Sequence, residues 1–335
     1  MKSILEAGIY QSRARHNAKT CGLQVAREIV QLHQDSEKRP SIEIGYDLAV
    51  SPPTFADLLE VVLVSRLLEA LGFPTSLKIL HESFRHDWLA LSPVEINRTV
   101  SQFQGIVKRL APTSLAGSQA EMVLQTHRAF KGVPLYYGAP WLTLGILKLL
   151  GEDNDDSQIR NLRESMYFSA SNIATDSGLQ DPYVTLHIRQ SKWTPYGNTS
   201  LDDLGFLVRH IEQTSPNATI LTVSSSSGQM WIESMRHHFD ARIVTSREIG
   251  SRDFLSDAAA VLSSQRYFQY NWGGMWIIPY YSNVPFEMAI PAPHFYPGAG
   301  FRHGKPPTWR SDLREDQVLS GRRSRPGGPL LLNFS

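Results

Sequence analysis

Between residues 183 and 290 the chain alternates short runs of β-forming residues with segments of helical periodicity, and few folds accommodate that rhythm. The β runs are YVTLHIR at 183–189, ATILTVSS at 218–225, ARIVTS at 241–246 and RYFQY at 266–270. Helical segments at 201–213, 229–239 and 252–262 separate them, another begins within 273–281, and VPFEMAI follows from Val284. Strands joined by helices of this length run parallel, because each crossover returns the chain to the same end of the sheet. A doubly wound parallel sheet with right-handed crossovers is therefore expected.

The first half carries a shorter version of the same pattern. SIEIGYDLAV at 41–50 reads as a strand, SPPTF as a turn, and ADLLEVVLVSRLLEALG as a helix that Thr54 would cap and Gly72 would stop. SLKIL at 76–80 supplies a second, parallel strand. Ser92-Pro93 with Glu95 three positions after the serine is a capping-box signature, opening a helix over 92–108. Residues 121–130 are expected to be helical and VPLYYG at 133–138 a strand. The acidic GEDNDDS at 151–157 breaks the pattern before helical spacing returns over 158–175. Ahead of all this, Val25, Ile29 and Leu32 give one apolar face to a helix over 18–33.

The expected organisation is an N-terminal helical appendage (1–40), a first Rossmann-like domain (41–176), a second (177–310) and a partly disordered tail (311–335), with a hinge near Ser177-Gly178. At 335 residues and 41% hydrophobic the chain can bury two cores. Its 33 basic and 32 acidic residues leave a net charge of +1, so no global field recruits nucleic acid. The single cysteine, Cys21, excludes an internal disulfide framework and suits a reducing compartment. No signal peptide is read at the N-terminus. The longest apolar stretch, 134–150, is broken by Gly138 and Pro140 and carries Lys148, so a buried helix is expected and no transmembrane segment. A cytoplasmic protein is the expectation, with peripheral contact to a membrane surface left open.

The chemistry-bearing residues cluster at the carboxyl ends of these strands, where open α/β sheets bind ligands. His187 and Arg189 end the first strand of the second half, and an arginine there is a fixed cation whose planar fork suits phosphate or carboxylate. Ser224, Ser225 and Gly228 form a hydroxyl-rich turn that could grip base, ribose or phosphate. Asn271, Trp272, Gly273 and Gly274 follow the 266–270 strand and offer a polar contact, a stacking face and close backbone approach. In the first half, Asp47, Ser51 and Thr54 occupy the equivalent edge, and Asp47 and Glu82 are the carboxylates nearest a strand end. Each has a structural reading beside it: an ion pair for Arg189, a buried hydrogen-bonded histidine for His187, helix capping for the serines, and tight packing for the glycine pair. Neither GxGxxG nor GxxxxGK[ST] occurs, so the usual dinucleotide and P-loop signatures are missing. Adjacent His237 and His238 diverge by about 100° on a helix and cannot chelate one ion, so no metal site is expected.

YDLAVSPPTFADLLE, VTLHIR with GNTSLDDL downstream, and SSQRYFQYNWGGMW followed by SNVPF together resemble the bacterial fucosyltransferase-like glycosyltransferases of GT-B architecture. The resemblance covers about residues 41–289, and the His-X-Arg strand end is its strongest piece. It implies an α/β protein of two Rossmann-like domains with mainly parallel sheets facing a cleft. It implies a metal-independent enzyme that moves a sugar from a nucleoside-diphosphate sugar to a glycan, lipid-linked glycan or other hydroxyl acceptor, in polysaccharide biosynthesis. No cofactor beyond the donor is implied. Arg189 would stabilise the leaving diphosphate with His187 assisting; Ser224, Ser225, Gly228 and Asn271 to Gly274 would bind the donor, and Asp47, Ser51 and Thr54 would lie on the acceptor side. The sequence departs from the family in having Gln190 where a second arginine often stands and Lys192 in place of an acid. Two other readings stay open: a non-catalytic nucleotide- or carbohydrate-binding protein, and a sugar-nucleotide isomerase or epimerase.

Overall fold

In a computed structural model, the described residues are 20–35, 39–48, 54–81, 92–111, 120–125, 135–153, 156–169, 173, 182–190, 198–270, 274–290 and 308–310. The chain divides into two compact units, Met1–Tyr167 and Phe168–Ser335. Among the described residues no helix is long and apolar enough to cross a membrane.

The first unit contains α1 (residues 20–35), β1 (Ile42–Asp47), α2 (Phe55–Ala70), β2 (Thr75–Leu80), α3 (Pro93–Leu110), β3 (Met122–Gln125), α4 (Leu135–Asp153) and α5 (Asp156–Ser165). Its three-stranded sheet has the order β2-β1-β3, with both pairings parallel. Helix α2 buries apolar residues around most of its circumference because it packs against the sheet, α3, α4 and α5; Leu58, Leu59, Val61 to Val64, Leu67 and Leu68 are all fully buried. It ends as the sequence suggests. Gly72 takes a φ of +86°, its N–H reaches the Glu69 carbonyl at 2.8 Å and the Phe73 N–H reaches Leu68 at 3.0 Å, a Schellman closure. The Ser92–Glu95 capping box also forms, with Pro93 in the first turn of α3.

Expectations for three segments of this unit fail. Residues 122–125, read as part of a helix, form β3, because MVLQ satisfies its backbone on the open edge of β1. The start of β3 is hooked there by Glu121, whose carboxylate accepts the Ser41 N–H at 2.9 Å while its own N–H donates to Ser41 Oγ at 3.1 Å. The stretch 133–138, read as a strand, enters α4 from Leu135 onward. That helix goes on to bury Ala139, Leu142, Ile146, Leu147 and Leu150 and lies against α2, so burial of the helix as a whole overrides local β preference. α5 also stops earlier than the expected 158–175 span, at Ser165, and Arg66 of α2 donates to the carbonyls of Ser165 and Tyr167 at 3.3 and 2.9 Å.

The second unit contains β4 (Tyr183–His187), α6 (Leu201–Thr214), β5 (Thr219–Val223), α7 (Ser226–Met235), β6 (Ile243–Thr245), α8 (Phe254–Leu262), β7 (Tyr267–Tyr270), the short α9 (Ile277–Tyr280), β8 (Phe286–Ile290) and β9 (Thr308–Arg310). The six-stranded sheet runs β6-β5-β4-β7-β8-β9, parallel except for β9 at its edge. That is the strand order of a Rossmann-like doubly wound sheet. Val184, Leu186 and Ile188 pack one face of β4 against Leu204, Leu207, Val208 and Ile211 of α6. The opposite face, with Tyr183, meets Leu221 of β5 and Ala260 of α8. Both units are thus α/β with mostly parallel sheets.

Candidate functional site

The order β5-β4-β7 makes the end of β4 a switch point: the chain winds from β4 through β5 and β6, then crosses back to lay β7 on the other side of β4. The crevice outside the carboxyl ends of two strands so related is the usual ligand position of an open α/β sheet. His187 is the last residue of β4, in register with Val223 of β5 and Gln269 of β7. Ile188 makes one further ladder bond, donating to Val223 at 3.2 Å. Arg189 then leaves the sheet. Its N–H goes to Thr199 Oγ1 at 3.2 Å, and its carbonyl accepts the Thr199 N–H at 2.9 Å. This pairing closes the base of the loop 190–198 and holds the half-buried Arg189 at the sheet edge.

The α8-facing side of β4 and β7 is a polar column. Tyr183 donates its hydroxyl to the Ala260 carbonyl at 2.8 Å, Thr185 Oγ1 meets Ser264 Oγ at 3.0 Å, and the Tyr267 hydroxyl donates to Gln269 Oε1. Thr185, Tyr267 and Gln269 have no exposed surface, and His187 continues their row to the edge, where it is partly exposed. Burial, and after it the charge of Arg189, push the imidazole pKa down to about 4, so the ring is neutral at neutral pH.

The serine turn is built into the same edge. Ser224 Oγ donates to the Ile188 carbonyl at 2.6 Å, while Ser225 and Ser227 donate to the Gln190 carbonyl at 3.0 and 3.1 Å. Ser225 also caps α7, accepting the Gly228 N–H at 3.4 Å. The hydroxyl hydrogens of Ser224 and Ser225 are therefore committed to the backbone leaving β4. A Cβ on Gly228 would lie 1.8 Å from Ser224 Oγ and 2.7 Å from its Cβ, so glycine is needed for α7 to start this close to the turn. Gln190 belongs to the same clamp, its side-chain Nε2 donating to the Thr199 carbonyl at 2.8 Å.

On the far side of the switch point, the hydroxyl of Tyr270 is hydrogen-bonded to Asp203. The Asp203 carboxylate also closes the capping box of α6, accepting the Ser200 N–H at 3.0 Å and its hydroxyl at 2.6 Å. Burial first, then the Asp203 charge and hydrogen bond, keep the Tyr270 phenol protonated at any physiological pH. Gly274 begins a single 3-10 turn, Gly274–Trp276, and is partly buried. Asn271, Trp272 and Gly273 lie outside the described residues, as do Ser51 and Glu82.

Thus the fold gathers His187, Arg189, Ser224, Ser225 and Gly228 at one strand end. Asp47 and Thr54 belong to the other unit. Asp47 ends β1, half-buried and in register with Leu80. Thr54 does not cap α2 as expected; its hydroxyl donates to the Asp57 carboxylate. Three polar groups escaped the sequence reading. Gln269 is visible only through register with His187. Glu60, the lone acid within the apolar LLEVVLV run, has its pKa pushed up to about 8 by burial and then by Asp57. Asp257, in α8, is pushed up to about 6 by burial, against hydrogen bonds from Ser246 and Ser251.

No protein-family model matches this chain, and no curated protein matches its sequence.

Proposed function

We propose that the protein is a glycosyltransferase that uses a nucleoside-diphosphate sugar, with the donor bound by the second unit and its diphosphate received at the β4–β7 switch point. One observation carries the reading: a guanidinium-bearing residue, Arg189, stands beside the carboxyl end of the central strand of a Rossmann-ordered parallel sheet. As a glycosidic bond breaks, negative charge grows on the leaving diphosphate, and preorganised cations and N–H donors near it lower the barrier. In this reading Arg189 supplies the charge that a divalent ion supplies in other enzymes. The start of α7 adds backbone N–H groups at the same edge. The two-domain GT-B arrangement and an acceptor hydroxyl received by the first unit, near Asp47 and Thr54, belong to the same proposal.

The test is a thermal-shift panel of GDP, UDP, ADP, CMP and their sugar conjugates on wild type and Arg189→Ala, with and without EDTA. A ligand at about 100 times its Kd stabilises the protein by about 2.7 kcal/mol. Stabilisation by one nucleoside diphosphate, retained in EDTA and lost in Arg189→Ala, is the expected result. Silence across the panel would refute it. One observation favours a second reading, a nucleotide-binding protein without transfer activity: Gln190, where the resembling family often has a second arginine, is engaged in closing its own loop. Binding without turnover across glycan acceptors would select that reading.

A further inference from the structure

The two ring nitrogens of His187 have unequal surroundings. Nδ1 is sealed from solvent and has no hydrogen-bond partner among the described residues, although the residue as a whole is partly exposed. Nε2 is therefore the ring nitrogen left for a hydrogen bond to a ligand. A neutral imidazole carries one proton, and the two tautomers differ in cost here. With the proton on Nδ1, a buried N–H would lack an acceptor, and orphaned buried N–H groups are rarer than under-satisfied acceptors. With the proton on Nε2, only a lone pair is buried unpaired and the N–H points to the accessible side. The charged form would bury the same orphan N–H and add a cation beside Arg189.

We propose that His187 acts as a neutral Nε2–H hydrogen-bond donor to a non-bridging oxygen of a diphosphate at the β4–β7 edge, with Arg189 supplying the positive charge. The inference rests on the diphosphate reading above and deepens it. It also removes His187 as a general base, since a base needs its free lone pair on the accessible nitrogen and this ring keeps it on the sealed one. The depressed pKa of the ring agrees with the assignment. The residues in register with His187, Val223 of β5 and Gln269 of β7, carry no ionisable group, and the Tyr267 hydroxyl that donates to Gln269 is kept protonated by burial. Donation by a neutral imidazole keeps its strength wherever the diphosphate itself stays ionised.

Two measurements decide it. In long-range 1H–15N spectra of protein labelled at histidine, His187 should show the Nε2–H tautomer, unchanged from about pH 5.5 to about pH 8. An Nδ1–H signature, or an imidazolium near neutral pH, overturns the assignment. The second uses the geometry of amides: the nitrogen of glutamine lies three bonds from Cβ, as Nε2 does, and that of asparagine two, as Nδ1 does. His187→Gln should bind the responding nucleoside diphosphate within about threefold of wild type, and His187→Asn at least about tenfold more weakly, the cost of a lost hydrogen bond to a charged acceptor. Equal binding by the two variants overturns the proposal. If wild type itself ignores every nucleoside diphosphate and inorganic pyrophosphate, the diphosphate reading fails first, and that outcome is separate from a failure of the tautomer.

Discussion

Replacing Gly228 by alanine probes how the serine turn is fitted to the end of β4. The added Cβ would lie 1.8 Å from Ser224 Oγ and 2.7 Å from Ser224 Cβ, well inside contact distance. Rotating the hydroxyl away relieves the first clash but breaks the 2.6 Å bond to the Ile188 carbonyl. The second clash involves an atom fixed to the backbone and forces the turn or α7 to shift. Overpacking of this kind costs about 1–3 kcal/mol, and the lost hydrogen bond about 1 kcal/mol. Alanine in place of glycine within a helix returns about 1 kcal/mol. The net expectation is destabilisation of the second unit by about 2 kcal/mol, read as a lower denaturation midpoint at unchanged m-value. The cycle with Ser224→Gly isolates the cause, because that background removes both clashing atoms. There Gly228→Ala should be neutral or slightly stabilising, a coupling of about 2 kcal/mol, within the range for residues in direct contact. An unchanged cost of Gly228→Ala in the Ser224→Gly background would refute the steric argument. So would a neutral effect in wild type.

Two further outcomes are expected, both in the first unit. Glu60 has a folded-state pKa of about 8 against an ordinary value of 4.5, so the folded protein holds a proton that the unfolded chain releases. Its contribution is fully present below pH 4.5, declines as pH rises toward 8 and is lost above that, and Glu60→Gln should flatten this fall in urea midpoints measured at pH 5, 7 and 9. An identical pH slope in the variant would show that the carboxyl is not the group responsible. Gly145 of α4 sits where a Cβ would come 2.7 Å from Ala26 Cβ and 3.0 Å from Leu23 Cδ2, so α1 crosses α4 at a glycine. Gly145→Ala should destabilise by about 1–2 kcal/mol after the helix-propensity gain, and Ala26→Gly should recover most of the loss. Additive effects of the two changes would place the helices farther apart than the structure does.

The resemblance that the sequence suggests directs attention to Gln190 as a departure, and the structure gives that departure a physical content. The side chain and carbonyl of Gln190 together tie the loop base to Thr199 and to the serine turn. An arginine directed at a ligand from this position would forgo the side-chain bond to the Thr199 carbonyl, while the two serine bonds go to the main chain and do not depend on the side chain. The side-chain bond to Thr199 and a second phosphate-directed arginine are alternatives at this residue, and the chain has the side-chain bond.

What the sequence determined alone is local. The Schellman stop at Gly72 and the capping box at Ser92 and Glu95 are legible, because their partners lie within a few residues. The βα rhythm likewise shows that the sheets are parallel and that His187 and Arg189 come at a strand's carboxyl end. Tertiary structure decided whatever depends on a distant partner. The segment 122–125 became a strand through the edge of β1, and residues 135–138 became the start of α4, a helix that lies against α2. Strand order, which makes the end of β4 a switch point, follows from which helices cover which face and leaves no mark in any short run of residues. The state of the site residues is set the same way. Ser224 and Ser225 are committed to carbonyls 36 and 35 positions away, and the sealed Nδ1 of His187 depends on a setting in which β5 and β7 flank the end of β4.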